Sequence, residues 1–139
     1  MVVVVDTNVM ISAFVRHSPI APLFHDIAKG ELSLEITSAI VLEYEEIAAE
    51  RGGPAFAAKM MHWLGLVSAS WDTIEQVHPS YQFQVIIADP DDNKFVDCAI
   101  AANADFIITR DTDFSPLAGA GYKPQPITPE DFIACHLMV

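Results

Sequence analysis

Acidic residues follow two strongly apolar segments of the chain, and they are the residues best suited to chemistry. Asp6 comes directly after four valines, and Asp111 follows the run Phe106-Ile107-Ile108 by three positions. Apolar, β-branched runs are typical of strands that are buried on both faces of a parallel sheet. In open α/β sheets ligands bind outside the carboxyl ends of the strands. We therefore expect carboxylates from several segments to gather there around metal ions, in a pocket suited to phosphodiester chemistry.

The segments that must position these residues alternate between strand and helix patterns. Strands are predicted at 2–5, 33–37, 106–109 and 126–128, and the weaker pattern of 66–87 predicts a strand or two and a loop. Helices are predicted at 9–15 with Asn8 as N-cap, 23–28 with Gly30 as its stop, 38–50 with Ser38 as N-cap, 55–64, 94–104, and from Pro129 onward. This alternation predicts a single α/β domain over residues 1–139, with a mostly parallel central β-sheet flanked by helices.

Composition narrows the class of protein further. The chain has 139 residues, of which 52% are hydrophobic, so a packed core is expected and disorder is not. No apolar run is long enough for a membrane span or resembles a signal peptide, and the two cysteines suggest reduced thiols, so a cytoplasmic protein is expected. The formal net charge of −12 argues against tight, unaided binding of nucleic acid. Bound divalent cations or a partner would have to offset it.

Three glutamates in the predicted helix 38–50 are candidates for the same pocket. At about 100° per residue, Glu43 and Glu45 flank the apolar face around Tyr44, whereas Glu46 points away from it. Helical periodicity alone cannot choose between Glu43 and Glu45. The alternative is that all three belong to a solvated acidic face.

Two aspartates near the predicted helix 94–104 can be ranked by the same count. Asp92 lies on the azimuth at the centre of the helix's buried face, and Asp97 lies about 130° away from it. The N-terminus of a crossover helix meets the carboxyl edge of a parallel sheet, so Asp92 is expected to point into the pocket and Asp97 to its side. The competing interpretation is that Asp92 only complements the helix dipole.

The segment Thr109-Arg110-Asp111 repeats, after a second apolar strand, the layout around Asp6. A simple turn is the alternative for this segment. Together the candidates offer only oxygen ligands, which suit Mg²⁺ or Mn²⁺ and not zinc, because no cysteine or histidine spacing fits a zinc site. The five histidines are scattered and are assigned no role.

Several short motifs, in this order and spacing, resemble those of the PIN-domain nucleases, and within them the branch of VapC-like toxins. The resemblance covers nearly the whole chain. It is carried by the segments 2–8, 37–47, 89–95 (Asp-Pro-Asp-Asp-Asn-Lys-Phe), 107–111 and 127–132.

The resemblance implies a Mg²⁺- or Mn²⁺-dependent endoribonuclease, a hydrolase, that acts on RNA as the toxin of a toxin-antitoxin pair. It implies an antitoxin protein as partner and a homodimer. Carried over by position, the catalytic and metal-binding residues are Asp6, Glu43, Asp92 and Asp111, which selects Glu43 over Glu45. Asp97 is a further metal-ligand candidate, and Asn8 and Thr109 are polar support.

Three other classes of protein are alternatives to the nuclease. Two of them are also defined by an acidic residue after the first strand, and the third is not an enzyme. Phosphatases that form an aspartyl-phosphate require a second aspartate two residues later, where this chain has Asn8. Receiver-type signalling domains, which bind Mg²⁺, require a lysine after a late strand, and none follows Thr109 before Lys123. A catalytically silent PIN-like module would bind a partner protein through its surface.

Overall fold

Five parallel strands form the centre of the computed structural model, which describes residues 1–70, 74–79, 82–86 and 89–137. The spatial order of the strands is β3-β2-β1-β4-β5, and every pairing is parallel. The predicted α/β fold with a parallel sheet flanked by helices is therefore confirmed. The strands are β1 (Val2–Val5), β2 (Ser33–Ile36), β3 (Ile74–Gln76), β4 (Phe106–Ile108) and β5 (Gln125–Ile127).

The strand order changes direction beside the central strand. From β1 the chain builds outward through β2 and β3, and it then returns to add β4 and β5 on the other side of β1. Such a reversal opens a crevice at the carboxyl ends of the two strands that flank it, here β1 and β4. Asp6 follows β1 and Thr109 follows β4, so both residues lie at this crevice.

Six α-helices and three 3₁₀- or π-helical turns connect or follow the strands in the described part of the chain. Turns of 3₁₀-helix at Pro90–Asp92 and Thr112–Leu117 lie at the carboxyl edge of the sheet, and a π-helical turn, Ile133–Leu137, ends the described chain. No helix in this part is both long and apolar enough to cross a membrane. The helices are α1 (Thr7–Ala13), α2 (Ala21–Ala28), α3 (Ser38–Gly52), α4 (Pro54–Ser70), α5 (Asn93–Ala101) and α6 (Pro129–Phe132).

Two predicted N-caps are wrong by one or two residues. Asp6, not Asn8, caps α1, and its side chain accepts a hydrogen bond from the Thr7 N–H. Thr37, not Ser38, caps α3 through the Ile40 N–H. In both cases a single residue separates the end of the strand from the start of the helix, and this residue must serve as the cap.

The fourth helix is longer than predicted, and it occupies part of the segment that was expected to form strands. α4 continues to Ser70, because a run of small and aliphatic residues after Leu64 is compatible with helix as well as with strand. β3 is the one strand that the structure describes between α4 and α5. The predicted contributions of Trp71, Tyr81 and Ile87 fall outside the described residues.

The core lies on both faces of the central strands. Val3, Val4 and Val5 are fully buried, as are Ile107 and Ile108 on the neighbouring strand. Burial extends to charged residues, among them Glu35 of β2, which is 3% exposed and lies beside Glu75 of β3 in the strand register. Burial and the adjacent Glu75 carboxylate raise the pKa of Glu35 to about 7.

A buried tyrosine anchors the end of the central strand, and its removal gives a testable stability change. The fully buried Tyr44 donates its hydroxyl hydrogen to the Val5 carbonyl oxygen, one residue before Asp6. Tyr44→Phe should lower the free energy of unfolding by about 1–2 kcal/mol, because it removes a buried hydrogen bond and leaves an acceptor unpaired. Urea unfolding measures this change. Tyr122→Phe, at a residue that is 69% exposed, is the control and should change nothing.

Candidate metal centre at the carboxyl edge of the sheet

Asp6 is held between the two central strands. Its backbone N–H donates to the Ile108 carbonyl oxygen (3.0 Å), which extends the β1–β4 ladder by one residue. Its Oδ1 accepts from the Thr7 N–H (2.8 Å) and its Oδ2 accepts from the Thr109 hydroxyl (2.7 Å). The side chain is therefore fixed in position while the residue is only 6% exposed.

The protonation of Asp6 reflects opposing influences. Burial raises the pKa of Asp6 most strongly, and the hydrogen bonds from Thr109 and Thr7 lower it. The negative charges of Asp111 and Glu43 raise it further. Carboxylates from three separate parts of the chain therefore interact electrostatically at the end of β1.

Glu43 reaches this place from α3. Its Oε2 accepts a hydrogen bond from the Thr7 hydroxyl, and its Oε1 forms an ion pair with the Lys94 ammonium group, at 2.5 Å. Glu45 and Glu46 are exposed, so Glu43 is the glutamate of this helix that faces the crevice. Both oxygens of Glu43 already have protein partners.

Asp92 reaches the crevice at the start of α5. Its side chain makes no capping hydrogen bond, and its Oδ2 is buried without a hydrogen-bond partner among the described residues. Burial, followed by the charges of Asp6, Asp89, Asp111 and Asp113, raises the pKa of Asp92 to about 7. A buried carboxylate oxygen that lacks a partner is costly unless a cation or a proton satisfies it.

Thr109 connects the two acidic strand ends. Its hydroxyl oxygen accepts a hydrogen bond from the Asp111 N–H (3.0 Å) while its hydrogen is donated to Asp6. Asp111 in turn caps the following 3₁₀ turn by accepting from the Asp113 N–H (2.8 Å). Thr109 is 4% exposed, so its hydroxyl fixes the two acidic positions relative to each other.

Two aspartates that the sequence analysis did not select belong to the same place. One carboxylate oxygen from each of Asp89, Asp92 and Asp113 lies within 4.8 Å of the others. Asp89 caps the 3₁₀ turn that ends at Asp92, and Asp113 lies two residues after Asp111. Both aspartates lie within three residues of a predicted site residue. Neither was selected from the sequence, because helical periodicity does not predict where the side chains of a short turn point.

Two predicted residues lie apart from this acidic cluster. Asn8 is exposed on α1, and its Oδ1 accepts a hydrogen bond from Arg51. Asp97 is 8% exposed, and its Oδ1 accepts from the Phe83 N–H at 3.0 Å. The helical count had placed Asp97 to the side of the pocket, and in the structure its carboxylate holds a neighbouring loop segment.

The arrangement is consistent with a metal centre. Asp6, Asp92, Asp111, Asp89 and Asp113 offer only oxygen atoms, and their charges raise one another's energy in the absence of a cation. The partnerless buried Oδ2 of Asp92 is the atom that most needs a cation. Hard divalent cations such as Mg²⁺ and Mn²⁺ prefer such ligands.

The chain belongs to the PIN-domain family, because the family's sequence profile, described as PIN domain, matches residues 2–113. The resemblance inferred from the motifs is thereby confirmed. Among solved structures, the chain is similar to VapBC2 from Rickettsia felis, which was crystallised bound to a DNA fragment from their promoter. That match has a TM-score of 0.58 and 18% sequence identity, and it covers 85% of this chain and 94% of the other. None of the curated proteins matches the chain.

Proposed function

We propose that this PIN domain is a metal-dependent endoribonuclease that hydrolyses phosphodiester bonds of RNA. The observation that supports the proposal most directly is the convergence of Asp6, Asp92 and Asp111 at the switch point between β1 and β4, with Asp92 Oδ2 buried and without a hydrogen-bond partner in the described part of the chain. Membership of the PIN-domain family supports the same reaction class.

Asp6, Asp92 and Asp111 are the residues proposed to hold Mg²⁺ or Mn²⁺, with Asp89 and Asp113 close enough to contribute. When bound, a divalent cation lowers the pKa of a coordinated water and stabilises charge on the phosphate and the leaving oxygen. Binding favours the ionised form of Asp92, whose pKa in the metal-free protein is about 7.

The remaining polar residues position these ligands. Thr109 fixes Asp6 through its hydroxyl hydrogen and Asp111 through its hydroxyl oxygen. Thr7 contributes its N–H to Asp6 and its hydroxyl to Glu43. Glu43, which the family resemblance marked as catalytic and metal-binding, is a positioning residue in this proposal: its carboxylate accepts from Thr7, and its ion pair keeps Lys94 at the edge of the acidic cluster.

A toxin role with an antitoxin partner is the biological setting that we propose. One similar solved structure is VapBC2 from Rickettsia felis, bound to a DNA fragment from their promoter. The net charge of −12 requires positive charge from elsewhere for RNA to bind, and metal ions and a partner protein of different sequence would supply part of it. The second subunit of a homodimer would carry the same net negative charge. Co-purification with the product of an adjacent small gene tests the antitoxin.

Cleavage of a fluorescently labelled single-stranded RNA tests the ribonuclease proposal. Purified protein should cleave it with Mn²⁺ and not with EDTA. Thr109→Val should cleave about 10–100-fold more slowly, because it removes the hydroxyl that orients two proposed ligands. Thr112→Val, at an exposed neighbouring residue, is the matched control and should retain the wild-type rate.

Two results of this assay would contradict the proposal. If the wild-type protein does not cleave RNA with either Mn²⁺ or Mg²⁺, the silent interaction module is the better description. If Thr109→Val, Asp92→Asn and wild type all cleave equally, the activity belongs to a contaminating nuclease, since a contaminant does not respond to substitutions in this chain.

A further inference from the structure

A cavity of about 570 Å³ lies beside the acidic cluster formed by Asp6, Asp89, Asp92, Asp111 and Asp113. Lys94, which forms the ion pair with Glu43, lines this cavity. This volume falls within the range of about 300–1,000 Å³ that is typical of small-molecule sites. A second cavity of 190 Å³ adjoins it and shares Gln82, Lys94 and Asp97. The walls of the larger cavity include Gln82, Gln84, Ile86, Asp91, Lys94 and Asp97.

One wall of the cavity is held in place by hydrogen bonds from α5. Asn93 and Asp97 lie one helical turn apart and both bind the backbone of the segment 82–86. Asp97 Oδ1 accepts from the Phe83 N–H, and the Asn93 amide both accepts from the Ile86 N–H (2.8 Å) and donates to the Ile86 carbonyl oxygen (2.9 Å). Between these attachments Gln84 has a φ of 53°, a conformation that costs energy for a non-glycine residue. The wall is therefore built by specific contacts.

The charged groups around the cavity suit different parts of a nucleotide, the ammonium group a phosphate and the carboxylates a base. The Lys94 ammonium group has three hydrogens, and its ion pair with Glu43 Oε1 leaves others to donate to a phosphate oxygen. Asp91 and Asp97 would repel a phosphate inside the cavity, but carboxylates accept hydrogen bonds from the amino groups of bases. Ile86 and Pro90 add apolar surface for the face of a base.

We propose that this cavity is a nucleotide subsite, which holds a base of single-stranded RNA near the scissile phosphate. Lys94 contacts the phosphate that links this nucleotide to the part of the RNA at the acidic cluster. The proposal rests on the proposed ribonuclease function and names the part of the substrate that this chain distinguishes. Cytosine, adenine and guanine carry an exocyclic amino group and uracil does not, so uridine nucleotides should bind most weakly. Extruded, hydrogen-bonded bases are the usual basis of sequence-specific RNA recognition.

An NMR titration tests the subsite without any need for cleavage. The side-chain amide signals of Gln82 and Gln84 are assigned as those missing from Gln82→Ala and Gln84→Ala, and the ¹⁵N-labelled protein with Mg²⁺ is titrated with AMP, GMP, CMP and UMP. At least one amino-bearing nucleotide should shift both signals saturably, with UMP the weakest. Lys94→Met should raise its Kd at least fivefold, and Lys94→Arg should largely restore binding. Lys59→Met, at an exposed lysine of α4, is the control.

The outcomes separate this proposal from the ribonuclease proposal. The subsite is refuted if no nucleotide shifts the two amide signals, if inorganic phosphate alone reproduces the shifts, or if Lys94→Met and Lys59→Met bind equally well. If the protein cleaves RNA but no nucleotide shifts these signals, the subsite proposal is refuted and the ribonuclease proposal is retained. Saturable shifts without RNA cleavage retain a nucleotide-binding cavity and remove the nuclease.

Discussion

Asp92→Asn is expected to lower kcat/KM for RNA cleavage by about a hundredfold to a thousandfold, the range observed when one preorganised charge-stabilising group is removed from an active site. The same substitution should stabilise the metal-free protein above neutral pH. No described residue donates a hydrogen bond to the buried Asp92 Oδ2, and the charges of four other carboxylates act on Asp92. The amide of Asn is uncharged, so burying it costs less than burying a carboxylate and the neighbouring carboxylates do not repel it. The substitution also removes a proposed metal ligand, which is why cleavage should fall.

The direction of the pH dependence follows from the raised pKa. In the unfolded chain Asp92 ionises near its ordinary value, whereas in the folded, metal-free protein its pKa is about 7. Folding therefore favours the protonated form, and this contribution is fully present below about pH 4 and is lost as the pH rises through 7. Asp92→Asn should be near wild-type stability at pH 4 to 5 and about 1–2 kcal/mol more stable at pH 8, a value reduced for partial exposure.

Urea unfolding in EDTA at pH 5 and pH 8, together with the RNA cleavage assay, measures both effects. Asp131→Asn, at an exposed aspartate of α6, is the control and should change neither quantity. If Asp92→Asn is less stable than wild type at pH 8, Asp92 has a favourable partner in the metal-free protein. Its place among repelling carboxylates would then be wrong.

Burial patterns predicted the sheet and the main acidic positions because they depend on features that one sequence displays. Four consecutive valines are typical of a strand whose two faces are both covered by other elements. Asp6 follows directly and therefore lies at the carboxyl end of that strand. Helical periodicity placed Glu43 beside the buried face of α3 and Asp92 on the buried side of α5. It could not choose between Glu43 and Glu45, because either edge of a helix can meet the pocket until the packing of neighbouring elements is known.

The missed features depend on contacts between segments or on the geometry of short turns. Asp89 and Asp113 join the acidic cluster through 3₁₀ turns, whose side-chain directions no periodic pattern fixes. Asn8 is the predicted N-cap of α1, but Asp6 is the actual one. Asp6 can cap α1 and also belong to the acidic cluster, because one carboxylate oxygen accepts from Thr7 and the other from Thr109. Glu35 could not be foreseen as buried, since the residue pattern of β2 alone does not show that both faces of this strand are covered.

Mn²⁺ is expected to raise the melting temperature of the wild-type protein by on the order of 10 °C at a concentration of about one hundred times its Kd. Ligand binding to the folded state alone at this ratio contributes about 2.7 kcal/mol. In a domain of this size each kcal/mol corresponds to roughly 3–5 °C. The gain arises because a cation would replace repulsion among Asp6, Asp92 and Asp111 with attraction, and because it would satisfy the buried Asp92 oxygen.

The comparison of Asp6→Asn with Glu46→Gln determines whether such a shift comes from the proposed centre. Asn can still cap α1 through its side-chain oxygen, so Asp6→Asn should fold, but it has lost one ligand charge and should show a much smaller shift. Glu46→Gln removes an equal charge from an exposed position of α3 and should respond to Mn²⁺ as the wild type does. Equal shifts in all three proteins would mean that Mn²⁺ screens the overall charge of −12 without occupying the cluster. An unchanged melting temperature in wild type and Asp6→Asn alike would remove the metal centre, and with it the chemistry that the acidic residues are proposed to support.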